Sequence, residues 1–250
     1  MGAKLTKKRS EKQIRRKLSE KDGDSQQSSE PPTKASLSEN NKNNSVKLPH
    51  NYEEIIQEAD SPIDRSSIKR LYDQLCSGVL LNQKRQRYWI ESDSGGNSFM
   101  LFARDMSIIW MGDRRYWKWT QIPVDETSNE VVDAAELLAV CWLEVEAKFD
   151  TKKLSPGITY EVGFVIMLMG TSYGWEVPVC LEMQLENGIK QERKENFLTK
   201  PRNRWIEIPV GEFFTAPENE GEMKISLTEH RSGKWKSGLV IKGIRIQPKI

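Results

Sequence analysis

The feature of this sequence that most limits its possible folds is a period of two that runs from Arg87 to the C-terminus. Apolar side chains occupy every second position, with mostly polar or small residues between them. This alternation is typical of antiparallel strands that bury one face and expose the other. The clearest alternating segments are 143–149, 160–168 and 179–185, and further strands are predicted at 205–210, 222–229 and 238–247.

Turn signals separate the predicted strands, at residues 155–157 (Ser-Pro-Gly), 186–188 (Glu-Asn-Gly) and 231–233 (Arg-Ser-Gly). In the last strand the apolar positions change parity across Gly243, which indicates a β-bulge. Several connections reach a dozen residues, which suits a jelly roll better than a simple meander. The sequence therefore predicts a mainly β fold: an antiparallel β-sandwich of the jelly-roll type, with a short N-terminal helical segment and a disordered basic tail.

Composition divides the chain into three predicted parts. Residues 1–48 are polar and almost free of aromatic side chains, so they cannot offset the entropy of ordering and are predicted to be disordered. Residues 49–95 form a helical segment leading into the sandwich, with one helix from about Ser66 to Cys76. Residues 96–250 form the β-sandwich itself.

Positive charge is concentrated in the tail. Residues 1–50 contain twelve Lys or Arg against six Asp or Glu, a net charge of +6. Because the whole chain carries +2, residues 51–250 carry +2 − 6 = −4. The body of the protein therefore lacks the basic balance expected of a nucleic-acid-binding face, and any RNA binding would depend on the tail.

Three interpretations of the tail remain open. Residues 1–6 fit the pattern for myristoylation of Gly2, and the basic cluster 7–9 could provide a second membrane signal. Residues 7–17 also resemble a nuclear localisation signal, and they could equally be a solvated charge run. With no secretory signal and no apolar run of membrane-spanning length, we expect a cytoplasmic protein that could also enter the nucleus.

The few potential metal ligands argue against a metal site or a cofactor. The three cysteines, Cys76, Cys141 and Cys180, are far apart, and the chain has two histidines. No Cys-x-x-Cys pair is present, so a zinc site is not predicted. Cys141 and Cys180 fall in apolar segments and are predicted to be buried free thiols in a reducing compartment.

Three of the eight tryptophans, Trp110, Trp117 and Trp119, lie within ten residues, beside the charged Asp113 and the arginines that follow it. Aromatic faces next to polar side chains are suited to a sugar ring, whose C–H face packs on an indole while its hydroxyls bind polar groups. Each tryptophan taken alone is more typical of a core residue. The segment as a whole favours sugar binding.

Ordered motifs across the chain resemble a known family. They include 78–82 (Gly-Val-Leu-Leu-Asn), 103–110 (Ala-Arg-Asp-Met-Ser-Ile-Ile-Trp), 116–119 (Tyr-Trp-Lys-Trp), 140–144 (Val-Cys-Trp-Leu-Glu), 211–214 (Gly-Glu-Phe-Phe) and 235–239 (Trp-Lys-Ser-Gly-Leu). Together they closely resemble the plant phloem lectins, known as phloem protein two, and the related tobacco leaf lectin Nictaba. The resemblance extends from about Leu71 to the C-terminus.

This resemblance implies a jelly-roll-like sandwich that binds N-acetylglucosamine oligomers of the chitin type and the cores of high-mannose N-glycans. It also implies a homodimer found in the cytoplasm, the nucleus or phloem sap, with a role in defence or in handling sap proteins. By position, its sugar-binding residues would be Trp110, Trp117, Glu222 and Glu229. Trp119 would be either a third aromatic platform or a core anchor.

Three functional classes follow. The leading one is a non-catalytic lectin that needs no metal. An enzyme is the second, because paired carboxylates flanking a sugar are typical of glycosidases, but no local pattern here separates the two carboxyl pKa values. The third is an RNA- or ribonucleoprotein-binding phloem protein. One difficulty concerns Glu222 and Glu229: in a regular strand they face opposite sides, so a shared ligand requires a bulge or a loop position for Glu222.

Overall fold

The computed structural model describes residues 47–250, so the myristoylation pattern at Gly2, the basic clusters and nearly all of the predicted disordered tail lie outside the described residues. The described part contains two α-helices, short 3₁₀ turns and thirteen strands. The helices are α1 (Tyr52–Ile55) and α2 (Ile68–Ser77). The strands are β1 (Val79–Leu81), β2 (Gln86–Ile90), β3 (Asn97–Phe102), β4 (Ser107–Ile108), β5 (Trp117–Pro123), β6 (Val131–Leu137), β7 (Leu143–Asp150), β8 (Thr159–Tyr173), β9 (Val179–Gln184), β10 (Lys190–Glu195), β11 (Trp205–Phe214), β12 (Glu222–Glu229) and β13 (Ser237–Pro248).

The strands form two antiparallel sheets. The large sheet has eight strands in the order β1-β2-β3-β13-β6-β5, with β8 also paired to β13 and β11 paired to β8. The small sheet has five strands in the order β10-β9-β12-β7-β4. A single apolar core contains the inward residues of both sheets, and the predicted antiparallel β-sandwich is therefore confirmed.

The predicted alternation accounts for this core. In β7 the buried residues are Leu143, Val145, Ala147 and Phe149, and the residues between them are partly or fully exposed. The β-bulge predicted at Gly243 is present, because the pairing of β13 with β8 shifts register between Ile241 and Gly243.

The sandwich begins earlier in the chain than predicted. Strands β1 and β2 lie within the segment 49–95, yet β2 pairs with β3 from Gln86 to Ile90 in the large sheet. The predicted boundary at residue 96 therefore falls inside one sheet. The helical pattern obscured β1, which has only three residues, whereas β2 coincides with the start of the period-two pattern at Arg87.

Helix α2 matches its predicted position within two residues. Ser67 caps it by accepting a hydrogen bond from the backbone N–H of Arg70 at 3.2 Å, which satisfies one of the free N–H groups at the helix start. Leu71 and Leu75 are buried against the sandwich. Gly78 follows the helix with a φ of +92°, a conformation that favours glycine.

The cysteines differ in part from expectation. Cys76, Cys141 and Cys180 are free thiols, each partly buried. Cys141 lies in the bend before β7 rather than inside a strand, and Cys180 lies on β9 at a position between buried residues. Neither is fully buried as predicted. Within residues 47–250, no helix has the length and apolar character needed to cross a bilayer.

Candidate functional site

Trp110 occupies a tight turn at the edge of the small sheet. It follows β4, and the turn is closed by a hydrogen bond of 3.0 Å from the N–H of Asp113 to the carbonyl of Trp110. Its φ is +67°, a region that large side chains rarely adopt and that costs about 1–3 kcal/mol. The side chain is 57% exposed, and its ring lies 5.9 Å from that of Tyr116. A strained, exposed indole in an ordered turn is a strong functional candidate.

Trp117 has the opposite environment. It begins β5 and is 1% exposed, so neither face of its ring is open to a ligand. Its indole N–H donates a hydrogen bond of 3.1 Å to the carbonyl of Ile109, the residue before Trp110. The structure thus places Trp117 beneath the turn as an anchor, which differs from the aromatic platform expected from the sequence.

Trp119 is also on β5 and is partly buried against the core. The guanidinium carbon of Arg104 lies 3.8 Å from the centre of its ring, and Arg104 is itself paired with Asp133 at 2.8 Å. A cation therefore already covers this indole. Of the two alternatives for Trp119, this placement favours the core anchor.

A second exposed indole, which the sequence interpretation missed, lies beside the Trp110 turn. Trp142 immediately precedes β7, the neighbour of β4, and is 45% exposed. Its ring stacks on that of His230 at 4.3 Å with an interplanar angle of 12°, and its N–H donates to a carboxylate oxygen of Glu144 at 2.6 Å. The signal was present in the sequence, since Trp142 shares the parity of the outward-facing Glu144 rather than that of the core.

Strand register shows that these aromatic residues share one end of the small sheet. Ile108 pairs with Val145, and the N–H of Ile109 donates to the carbonyl of Glu144, so Trp110 follows at the level of Leu143. Leu143 pairs in turn with Glu229 on β12. Trp110, Trp142 and His230 therefore lie at the ends of three adjacent strands, a row that spans roughly 10 Å.

Glu229 lies at this end but is directed into the protein. It is 5% exposed and forms an ion pair with Lys236, which is 0% exposed. Its carboxylate also accepts hydrogen bonds from the N–H of Ser232 at 3.0 Å and from its hydroxyl at 2.9 Å. Burial opposes ionisation, but the bonds from Lys236 and Ser232 prevail and hold the pKa of Glu229 below its usual value. These contacts fix the loop 230–236.

That loop also presents a third exposed indole. Trp235 is 52% exposed and is held by its neighbour Lys236, whose backbone forms two hydrogen bonds with Val140, at 2.8 and 3.0 Å. The ammonium of Lys236 donates to the carbonyls of Cys141 and Lys234 at 3.1 and 2.8 Å. The buried ion pair therefore organises the two loops that carry Trp142 and Trp235.

Glu222 lies at the opposite end of β12 from these aromatic residues. It begins β12, whereas Glu229 ends it, and the strand pairs with β7 along its whole length without a register shift. Seven residues of extended chain separate the two carboxylates by roughly 23 Å, and they face opposite sides of the sheet. Glu222 is exposed and pairs with Lys148 at 3.1 Å. Neither the bulge nor the loop position that a shared ligand would require is present.

The distance between the Glu222 and Glu229 carboxylates also decides whether this pair could catalyse glycoside hydrolysis. The two carboxyls of a glycosidase lie about 5–9.5 Å apart, so Glu222 and Glu229 cannot act together on one glycosidic bond. Among residues 47–250, the carboxyls whose pKa is raised are Asp105 and Glu207, mainly through burial, and neither belongs to the aromatic row. The arrangement at this end can bind and orient a ligand through aromatic faces and one carboxylate, Glu144.

Comparison with known proteins agrees with the resemblance seen in the sequence. A family model described as phloem protein 2 matches residues 96–248. Protein PHLOEM PROTEIN 2-LIKE A1 of Arabidopsis thaliana is 45% identical over 211 residues, covering 83% of this chain and 84% of that protein. A lectin of Luffa acutangula is 40% identical over 206 residues, covering 82% of this chain and 96% of the lectin. The putative F-box protein PP2-B12 of Arabidopsis thaliana is 32% identical over 219 residues, covering 81% of this chain and 80% of that protein.

Proposed function

This chain belongs to the phloem protein 2 family, and from that membership we propose that it is a non-catalytic lectin. Its carbohydrate site lies at the end of the small sheet marked by Trp110, Trp142 and His230. No metal is needed, because aromatic faces and hydrogen-bond acceptors are sufficient to hold a sugar ring. A lectin among its relatives, from Luffa acutangula, supports this assignment.

The observation that carries the proposal is the conformation of Trp110. An exposed indole at a φ of +67° persists only where the surrounding structure over-determines it. Here the turn is tied to the core through the bond from Trp117 to Ile109 and to β7 through the N–H of Ile109. A ligand therefore meets an aromatic platform that is already in place, and little ordering entropy opposes binding.

For the ligand we infer N-acetylglucosamine oligomers of the chitin type or the core of a high-mannose N-glycan, as the resemblance implies. The carboxylate of Glu144 already accepts one hydrogen bond from Trp142, and a carboxylate can accept several. It is therefore a suitable acceptor for a sugar hydroxyl or an acetamido N–H. Glu229, whose oxygens are held by Lys236 and Ser232, acts by positioning the loop that ends at Lys236.

The cellular setting follows from the same family. We infer that the protein works in the phloem or the cytoplasm, in defence or in binding sap glycoproteins. A shallow site of this kind binds weakly, at about millimolar to micromolar Kd. A homodimer would present two sites and raise the effective affinity for multivalent glycans.

The test is calorimetric titration of the wild type and of Trp110→Ala with N,N′,N″-triacetylchitotriose, followed by a glycan array that includes high-mannose N-glycans. We expect Trp110→Ala to lose about thirtyfold or more in affinity, because an aromatic anchor costs about 2 kcal/mol or more when truncated. Phe214→Ala is the matched control: Phe214 is 52% exposed and ends β11, paired with Thr159. It should leave the affinity unchanged.

Two results would contradict the proposal. If Trp110→Ala keeps the wild-type melting temperature and the wild-type affinity, the turn is structural and the site lies elsewhere. If the array shows no bound glycan for the wild type, the lectin assignment itself fails. Binding to glycans without N-acetylglucosamine would retain the site and replace the inferred ligand.

A further inference from the structure

The loop between β12 and β13 directs Trp235 outward by simple alternation. Adjacent residues of an extended chain point to opposite sides, and the next residue, Lys236, is 0% exposed and turned into the protein. Trp235 is accordingly 52% exposed. The carbohydrate site proposed above uses Trp110, Trp142 and His230, and it leaves this third exposed indole without a role.

Strand pairing places Trp235 next to Trp142. Val140 and Lys236 form an antiparallel bridge, with backbone hydrogen bonds of 2.8 and 3.0 Å. The next pair in that register sets Cys141 opposite Trp235, and Trp142 is the residue that follows Cys141. The Cα atoms of Trp142 and Trp235 are therefore roughly 5–8 Å apart, from the spacings of paired strands.

The aromatic row therefore continues beyond Trp142 to a further indole. Trp110 lies at the level of Leu143 on the strand beside β7, and Trp142 is the residue before β7. Trp235 follows as the next exposed indole, so the three are neighbours at one end of the sandwich. One pyranose ring packs on one indole face, so a ligand that contacts all three must contain several linked rings.

The backbone around Trp235 is held by close contacts. Gly174, the residue after β8, has a φ of +81°, and a Cβ atom at that position would collide with the carbonyl oxygen of Trp235. On the other side, the buried ammonium of Lys236 donates to the carbonyls of Cys141 and Lys234 at 3.1 and 2.8 Å. An exposed aromatic side chain on a fixed backbone loses little conformational entropy when a ligand packs on it.

Charged and exposed side chains accompany Trp235. Lys234 and Glu176 lie 4.0 Å apart, and each side chain is 54% exposed. So long a surface ion pair is weak, which leaves the ammonium free to donate to sugar hydroxyls and the carboxylate free to accept from them. Protein-binding surfaces are marked by contiguous apolar patches, and an indole beside two charged groups does not form one. These groups match a sugar ring better than a protein partner.

We propose that Trp235, Lys234 and Glu176 form an extension subsite, which adds contacts to glycans long enough to reach it from Trp110 and Trp142. The inference rests on the proposed carbohydrate site and assigns that site a preference for chain length. A disaccharide of N-acetylglucosamine covers the indoles of Trp110 and Trp142. In a tetrasaccharide the additional rings pack on Trp235, so the longer oligomer binds more tightly.

The experiment is calorimetric titration of the full chain with N,N′-diacetylchitobiose and with tetraacetylchitotetraose. We expect the wild type to bind the tetrasaccharide about tenfold more tightly or better. Trp235→Ala should lower the tetrasaccharide affinity about tenfold, because a packed aromatic side chain is truncated, and should change the disaccharide affinity by less than about twofold. Trp235→Gln keeps a long side chain over the loop without an aromatic face, and it should give the same pattern.

The matched control is Trp205→Ala, which removes an exposed indole from another part of the sandwich. Trp205 is 37% exposed and pairs with Met167 of β8, whereas the loop of Trp235 meets the end of that strand at Gly174. The chain from Met167 to Gly174 spans roughly 20 Å when extended. Trp205→Ala should therefore bind both oligosaccharides as the wild type does.

The extension subsite is overturned if the wild type binds both oligosaccharides equally, or if folded Trp235 variants keep the wild-type affinity for the tetrasaccharide. It is also overturned if these variants weaken both ligands to the same extent, since Trp235 would then act on the central site. Failure of the lectin proposal gives a different result, because the wild type then binds neither oligosaccharide. If Trp110→Ala weakens both ligands and Trp235→Ala weakens neither, the carbohydrate site stands and the extension subsite fails.

Discussion

The two ends of strand β12 carry the same type of side chain in opposite surroundings. At one end Glu229 is 5% exposed, bound to Lys236 and Ser232, and surrounded by loops that present exposed indoles. At the other end the Glu222 side chain is 46% exposed and pairs with the exposed Lys148. The two glutamates that the resemblance assigns to one sugar site therefore lie in different environments, and the exposed indoles described above lie at the Glu229 end.

The residues at the Glu229 end also differ in whether a ligand could reach them. At the Glu229 end, the residues expected to touch sugar divide into an exposed Trp110 and a buried pair, Trp117 and Glu229. The buried residues hold the two loops in place, and Trp110 is the one of the three whose side chain is open to a ligand. Under the proposed function, Trp117 and Glu229 would act without touching the ligand, by fixing the groups that do.

The largest expected effect is on stability at the buried end. Glu229→Gln leaves Lys236 as an unpaired buried charge, which costs about 3–5 kcal/mol. For a domain of this size that corresponds to a fall in melting temperature of roughly 6–20 °C, at about 2–4 °C per kcal/mol. Thermal unfolding followed by circular dichroism measures it.

Glu222→Gln is the matched substitution at the exposed end. An exposed ion pair contributes about 0–1 kcal/mol, so its melting temperature should remain close to that of the wild type. Equal destabilisation by the two substitutions would contradict the different environments described here. Loss of sugar affinity in Glu222→Gln would return that residue to the site.

Trp117→Phe is expected to have an intermediate effect. It removes the indole N–H that bonds the carbonyl of Ile109, and leaves that acceptor and some space unfilled, at a cost of about 1–3 kcal/mol. Because the turn that carries Trp110 is then less firmly held, affinity for triacetylchitotriose should fall as well. Chemical denaturation and calorimetry on the same preparation measure the two effects.

The pattern of the two measurements decides the role of Trp117. Lowered stability together with weakened binding would support a role for Trp117 in anchoring the turn that carries Trp110. Lost binding with unchanged stability would mean that Trp117 contacts the sugar directly, as the sequence resemblance implies, and that its burial is relieved when the ligand binds.

Much of the fold could be predicted because it depends on local pattern. The inward residues of β7 and the bulge at Gly243 follow from side-chain parity, which a single sequence displays directly. The cap of helix α2 at Ser67 lies at the predicted helix start. The strand β1 was missed because its three residues show too little alternation, and the boundary at residue 96 cut β2 from the sandwich because pairing of β2 with β3 is a contact between strands that the alternation does not report.

The candidate site was harder to predict because it depends on which strand ends are adjacent. Trp110 and Trp117 are seven residues apart and similar in local composition, and the turn at Trp110 exposes one of them while the start of β5 buries the other. Trp142 comes close to the Trp110 turn through the pairing of β7 with β4. Parity predicted that Glu222 and Glu229 face opposite sides, and the straight register of β12 confirms it.

The smallest expected effect is the pH dependence of the free energy of unfolding that the Glu229 carboxylate contributes. Since the pKa of Glu229 is lower in the folded protein than its ordinary value, its ionisation stabilises the fold above the unfolded-state pKa of about 4.3, and that contribution is lost as the pH falls through the folded-state value. Glu229→Gln lacks this titration. The gap in unfolding free energy between the wild type and Glu229→Gln should therefore be constant between pH 6 and 8 and should narrow below about pH 4.3.

Urea denaturation at a series of pH values measures the gap, with Glu222→Gln titrated in parallel as the reference for all other carboxyls. A gap that stays constant down to the onset of acid unfolding would show that the Glu229 carboxylate gains nothing from Lys236, and the contrast between the two ends of β12 would then be one of burial alone.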